Sequence, residues 1–191
     1  MANRLLLYCP IAVKPNEMTN HDTEISALLS SDPRRGFDKL VESYQDRIYW
    51  HIRRMVVGHD DAQDLTQDTF VRAYRGLKGF RGDSAVGTWI YRIATNEALR
   101  FLEAEARRNT VPLDESFDRA ADQYVDLGDS LAVKLQQAVH TLPPKQQLTF
   151  NLRYFDNMDY DRIAQITDTT PTAAKANYHY AKQRIEQLMT H

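Results

Sequence analysis

From Phe37 to Val57 the apolar side chains Phe37, Leu40, Val41, Tyr44, Ile48, Ile52 and Met55 recur every three or four residues, with Pro33 before them and Gly58 after. That spacing lays them along one stripe of a helix with 3.6 residues per turn. The 191 residues include only seven glycines and seven prolines, and helical spacing persists through most of the chain. The predicted fold class is all-α.

A second helix is expected from about Asp60 to Leu77, burying Ala62, Leu65, Phe70, Ala73 and Tyr74. A third starts near Asp83 or Ser84, both good N-caps, and runs through Trp89, Ile93 and Leu99 towards Arg107. These make one compact domain over residues 23–108. Residues 109–130 lose the amphipathic period and carry six acids against one arginine, the composition of a flexible acidic linker. A second domain, 131–191, opens with Leu131 to Leu142, is interrupted at Pro143 and Pro144, and resumes to about Phe155. A short helix containing Ile163, Ala164 and Ile166 then meets a polar turn at Asp168 to Thr170. The longer helix that follows opens at Pro171 and is lined by Ala174, Tyr178, Ala181 and Ile185. Short helix, tight turn, longer helix is a helix-turn-helix.

Composition excludes several function classes. The net charge of -2 and pI near 6.3 are wrong for a protein that coats nucleic acid along its whole length, so any contact with DNA is local. The acidity sits in the connection: residues 103–130 hold eight acids and three bases. Residues 36–102 hold ten bases and nine acids, and 131–191 seven bases and five acids. Cys9 is the single cysteine and the six histidines are scattered, so neither a disulfide framework, a metal site nor a cofactor is expected, and the chain does not read as an enzyme. Residues 1–22 read as a flexible leader rather than a secretory signal. The apolar run after Arg4 is short and broken by Pro10, and Met18 is an alternative start. No stretch approaches the roughly 20 apolar residues of a membrane span, and a cytoplasmic location is expected.

Three groups of residues carry binding chemistry. The exposed face of the last helix offers Thr172, Ala173, Lys175, Ala176, Asn177 and His179, short or hydrogen-bonding groups suited to a major groove and its phosphates. An ordinary antiparallel helix pair would show the same apolar pattern. In "DAQDLTQDTFVRAY" (61–74), Asp64, Gln67 and Asp68 share a face opposite Leu65 and Phe70. Such a ridge accepts an arginine-rich partner through charge-assisted bonds; the alternative is a solvated face with Asp68 paired to Arg72 one turn on. In "GFRGDSAVGTWIYRIATNEALR" (79–100), Phe80 sits in a glycine-flanked turn rather than on a helical stripe, with Arg81, Trp89, Arg92, Asn96 and Arg100 around it. Exposed aromatics with arginines suit stacking on single-stranded nucleic acid, whereas core packing is the alternative and is expected in part for Trp89.

In this order the three blocks resemble the extracytoplasmic function (ECF) group of bacterial RNA polymerase sigma factors, over about residues 23–190. The resemblance implies a transcription initiation factor with two DNA-reading regions. Asp64, Gln67 and Asp68 would grip core RNA polymerase. Phe80 and Asn96 would help hold a flipped base of the minus ten element during strand opening, and the last helix would read the minus thirty-five element of promoter DNA. It also implies an anti-sigma partner. The chain departs from the family in carrying Asp168 where the final turn usually has glycine, and Pro171, Ala173 and Ala174 where a glycine-threonine-valine series is common. Asp tolerates left-handed backbone better than most residues, so the turn is expected to persist.

Overall fold

The computed structural model describes residues 15–56, 58–80, 82, 84–108 and 130–190, which form eight α-helices and one 3-10 turn with no strand among them. The all-α expectation holds. In chain order the helices are α1 (Pro15–Ser31), α2 (Pro33–Arg53), α3 (His59–Gly76), α4 (Val86–Arg108), α5 (Ser130–His140), α6 (Pro144–Tyr154), α7 (Tyr160–Thr167) and α8 (Pro171–Thr190); the 3-10 turn is Leu77–Gly79.

Helix α1 corrects the last part of the expected leader, because residues 15–22 belong to it and Asp22 is only 5% exposed, while residues 1–14 lie outside the described residues. Its first half is polar, and what fixes it is tertiary: Ile25 is fully buried and Leu29 packs on the same core. Gly36 of α2 permits the crossing. A Cβ at that position would stand 2.5 Å from the backbone nitrogen of Leu29. Asp32 separates the two helices and caps the second, accepting the Arg35 N–H at 3.2 Å, with Pro33 in the first turn where its missing N–H costs nothing.

The stripe on α2 is buried as its spacing requires, with Leu40, Tyr44, Ile48 and Ile52 at intervals of four. Ala62, Leu65 and Ala73 of α3 and Val86, Ile90, Ala94 and Ala98 of α4 complete this core. Two expectations fail here. Helix α4 starts at Val86, after Ser84 has bent the chain. Tyr74 is 59% exposed, because it lies off the Ala62–Thr69–Ala73 stripe; its ring meets that of Phe37 in a T-shaped pair with centroids 5.1 Å apart.

In the second half the helix-turn-helix forms as expected. Asp159 caps α7 through the Arg162 N–H at 2.7 Å. Asp168 adopts the left-handed conformation (φ 52°, ψ 51°), and its N–H and that of Thr169 return to the Ala164 carbonyl, a C-cap closed without glycine. Thr170 caps α8, its hydroxyl accepting the Ala173 N–H at 3.1 Å. Leu135, Val139, Leu142, Phe150, Phe155, Ala181 and Ile185 form a second core under α5, α6 and α8.

The two halves are also joined to each other. Leu148 and Leu152 of α6, Met158 of the connection that follows, Ile163 and Ile166 of α7, and Ala174 of α8 belong to the core of the first half. Polar groups close the same seam. Asp22 accepts bonds from the Tyr44 hydroxyl, the Gly87 N–H at 3.0 Å and the Arg162 guanidinium at 3.3 Å. At the end of α2, Arg54 pairs with Asp156 at 3.2 Å and lies 4.4 Å over the Phe155 ring. Its carbonyl accepts the side-chain amides of Gln136, Gln147 and Asn151 at 3.4 to 3.5 Å. Burial pushes the Asp156 carboxyl up, but Arg54 together with His51 outweighs it and holds the group below its ordinary range. The expected linker, 109–130, falls outside the described residues except for Ser130, which begins α5.

Candidate nucleic-acid interface

Helix α4 buries most of its circumference and leaves one stripe. Val86, Ile90, Tyr91, Ala94, Thr95 and Ala98 face inward, while Arg92, Asn96 and Arg100 are exposed and Trp89 is half-buried at the head of the same row. Spacing of three, four and four residues aligns these four groups. The Phe80 ring comes back from the turn onto Trp89, with ring centroids 4.8 Å apart. Phe80 is therefore half-buried against the core rather than exposed. Arg81 lies outside the described residues.

Asp64, Gln67 and Asp68 are all exposed on α3, opposite the buried Ala62, Leu65, Thr69 and Ala73. The alternative pairing of Asp68 with Arg72 is not formed. Arg72 instead reaches Glu97 of α4 at 2.9 Å, and Glu97 also receives Arg100 at 3.0 Å. Glu97 is nearly buried, so this carboxylate ties α3 to α4 and anchors Arg100 at the edge of the α4 stripe. Val71 was missed by sequence reasoning. It is 45% exposed one turn beyond Gln67 and Asp68, and its being apolar out of phase with the core stripe was the available signal.

On α8, Thr172, Ala173, Lys175, Ala176 and His179 are exposed, and Ala174, Ala181 and Ile185 hold the helix down. Asn177 differs from the expectation. It lies two residues from Lys175, about 160° around the helix, and is half-buried on the flank of the exposed face. Among the described residues no group of His, Cys, Asp and Glu could hold a metal ion, and no helix is long and apolar enough to cross a membrane.

Residues 40–108 match the Sigma-70 region 2 family and residues 132–185 match Sigma-70, region 4. The RNA polymerase sigma-H factor of Pseudomonas aeruginosa is 31% identical over 88% of this chain and 93% of its own length. The ECF RNA polymerase sigma-E factors of Haemophilus influenzae and Escherichia coli are each 31% identical over 80% of this chain, and 87% and 86% of theirs. The chain belongs to the ECF group of RNA polymerase sigma factors.

Solved structures agree in fold. The sigma factor RpoE of Bartonella quintana, in complex with the anti-sigma factor NepR, has a TM-score of 0.65 at 19% identity, covering 81% of this chain and 96% of that one. CnrH in complex with the cytosolic domain of CnrY has a TM-score of 0.67 at 19% identity, covering 89% and 97%. This sigma factor is a promoter-specific initiation factor that works with RNA polymerase, and it is not an enzyme. Its α1 to α4 include the region 2 match and its α5 to α8 the region 4 match.

Proposed function

We propose that this sigma factor uses the α3 ridge of Asp64, Gln67 and Asp68 to dock on core RNA polymerase, the α4 stripe to capture the opened minus ten element, and α8 to read the minus thirty-five element. The observation that carries this reading is the row of Trp89, Arg92, Asn96 and Arg100 on a helix otherwise turned inward. An aromatic face stacks on an unpaired base for about 1–3 kcal/mol, an amide hydrogen-bonds a base edge, and two guanidinium groups follow the phosphates. The stacking face and the base-edge amide find their partners only where strands have parted. On α8, Lys175 meets phosphate as a point charge, while Thr172, Ala173, Asn177 and His179 at the N-terminal end of the helix approach base edges in the major groove. Before release the factor is held by an anti-sigma partner in the cytoplasm, a reading supported by the similar RpoE structure, which is a complex with an anti-sigma factor.

The docking assignment is tested by Asp68→Lys. The exposed position spares the fold, and reversed charge on the ridge weakens core binding by about tenfold or more with helix content unchanged. Unaltered affinity in a pull-down with core polymerase sinks the assignment.

A further inference from the structure

We infer that Glu97 is a positioning residue of the minus ten surface, and that Arg72, which it draws across from α3, is a further phosphate contact for the parted strand. The inference rests on the assignment of the α4 stripe given above and adds to that stripe a residue from another helix. Glu97 follows Asn96 on α4, and its side chain is only 8% exposed. Each oxygen of its carboxylate takes a different arginine. Oε1 accepts the Nη1 N–H of Arg100 at 3.0 Å, from the stripe itself, and Oε2 lies 2.9 Å from Nε of Arg72. Both guanidinium groups are thereby held beside the stripe, one carboxylate apart.

A tie between two helices needs one cation. Here there are two, with side chains 52% and 65% exposed for Arg72 and Arg100, around a carboxylate that is nearly buried. Arg72 is met through Nε, the nitrogen next to its stem, so its two terminal NH2 groups lie beyond the contact. Two cations against one carboxylate leave the cluster positive, with outward guanidinium forks of the kind that fit phosphate oxygens. Arginine loses rotamer freedom when it binds, and a side chain already ordered by Glu97 has less to lose. Arg72 also stands one turn on from Asp68 along α3, which places it where the docking ridge and the α4 stripe meet. Charge alone and positioning predict opposite signs for one substitution. Glu97→Gln removes a negative charge from a surface that binds a polyanion, and by field alone that strengthens binding. If the carboxylate holds the two arginines in place, the same substitution weakens it.

The test uses holoenzyme made from core polymerase and the full chain, titrated over a range of salt with a promoter fragment at which the chain initiates, pre-melted over the minus ten element. Arg72→Ala weakens binding by about fivefold and lowers the slope of log affinity against log salt by about 0.7, the share of one single-strand phosphate. Arg72→Lys restores the slope and part of the affinity, since a point charge replaces the fork. Glu97→Gln weakens binding by about threefold, and by less when Arg72 is already Ala, because the two act through one contact. Tighter binding by Glu97→Gln, or a lowered Tm with parental binding, overturns the inference and leaves the carboxylate as a tie between helices. A parental salt slope in Arg72→Ala overturns it as well, and loss of core polymerase capture by that variant would assign Arg72 to the docking ridge instead. Asn96→Ala is measured alongside and weakens binding with the salt slope kept. Parental binding by Asn96→Ala contradicts the assignment of the stripe itself, whereas weakened binding there with parental Arg72→Ala and Glu97→Gln contradicts only the roles given to Arg72 and Glu97.

Discussion

The Phe80 ring lies against Trp89 with centroids 4.8 Å apart and an interplanar angle of 39°, bridging the turn after α3 to the first turns of α4. This pair belongs to the core and to the proposed minus ten surface at once. Phe80→Ala consequently has two effects. Loss of the half-buried ring costs about 2 kcal/mol, of which ring pairing supplies about 0.5–1.5, and lowers Tm by several degrees. Independently, open-complex formation falls while core binding is kept. Permanganate reactivity of promoter thymines reads the second effect below the Tm of the variant, and a promoter pre-melted at the minus ten element recovers part of the lost activity. Opening equal to that of the parent would mean that the ring only packs.

Lys175 and Asn177 separate by mechanism because they occupy different faces of α8. Lys175→Ala removes an exposed cation, so binding to all duplexes weakens alike and the slope of log affinity against log salt falls by about one unit. Asn177→Ala acts from the flank and relaxes preference at one base position, by about 1–3 kcal/mol. Salt titrations and a panel of single-base promoter variants distinguish the two. Parental behaviour in both variants would mean that this helix enters the groove by another face.

His140 makes the seam sensitive to acid. Burial, with Arg53 nearby, pushes its imidazole down to about 4, and the neutral ring meets Gln136 at 3.1 Å and Gln147 at 3.2 Å, the amides that also reach the Arg54 carbonyl. An unfolded histidine titrates near 6.5, so between pH 6.5 and about 4 the unfolded chain binds the extra proton. Stability is fully present above 6.5 and falls as pH drops through this window, by about 2 kcal/mol between pH 7 and pH 5. Urea unfolding at the two pH values measures it, and His140→Gln removes most of the difference. The same pH dependence in His140→Gln would place the titration elsewhere.

The helix-turn-helix was legible because its signals are local: apolar residues at helical spacing, Pro171 at a first turn, Thr170 in reach of the Ala173 N–H, and an aspartate at the one position needing left-handed backbone. Asp64, Gln67 and Asp68 were legible as a face for the same reason. Tyr74 was misread because a residue just off the buried stripe looks apolar in sequence whichever side it takes. Helix α1 was not legible, since its polar first half is held by packing at Ile25 and Gly36 rather than by its own periodicity. The seam was least legible of all. Asp22 meets partners 22, 65 and 140 residues away, and Arg54 meets amides 82 to 97 residues away. Periodicity carries no information at such separations.

Promoter selection by this sigma factor is read by sequencing RNA 5′ ends from a purified transcription reaction. Genomic DNA of the source organism is transcribed by core polymerase with and without this chain. The expected result is a discrete set of start sites that require the chain and share a common pair of upstream elements, near minus ten and minus thirty-five, and that are lost with Asp68→Lys. Start sites identical to those of core polymerase alone would contradict it.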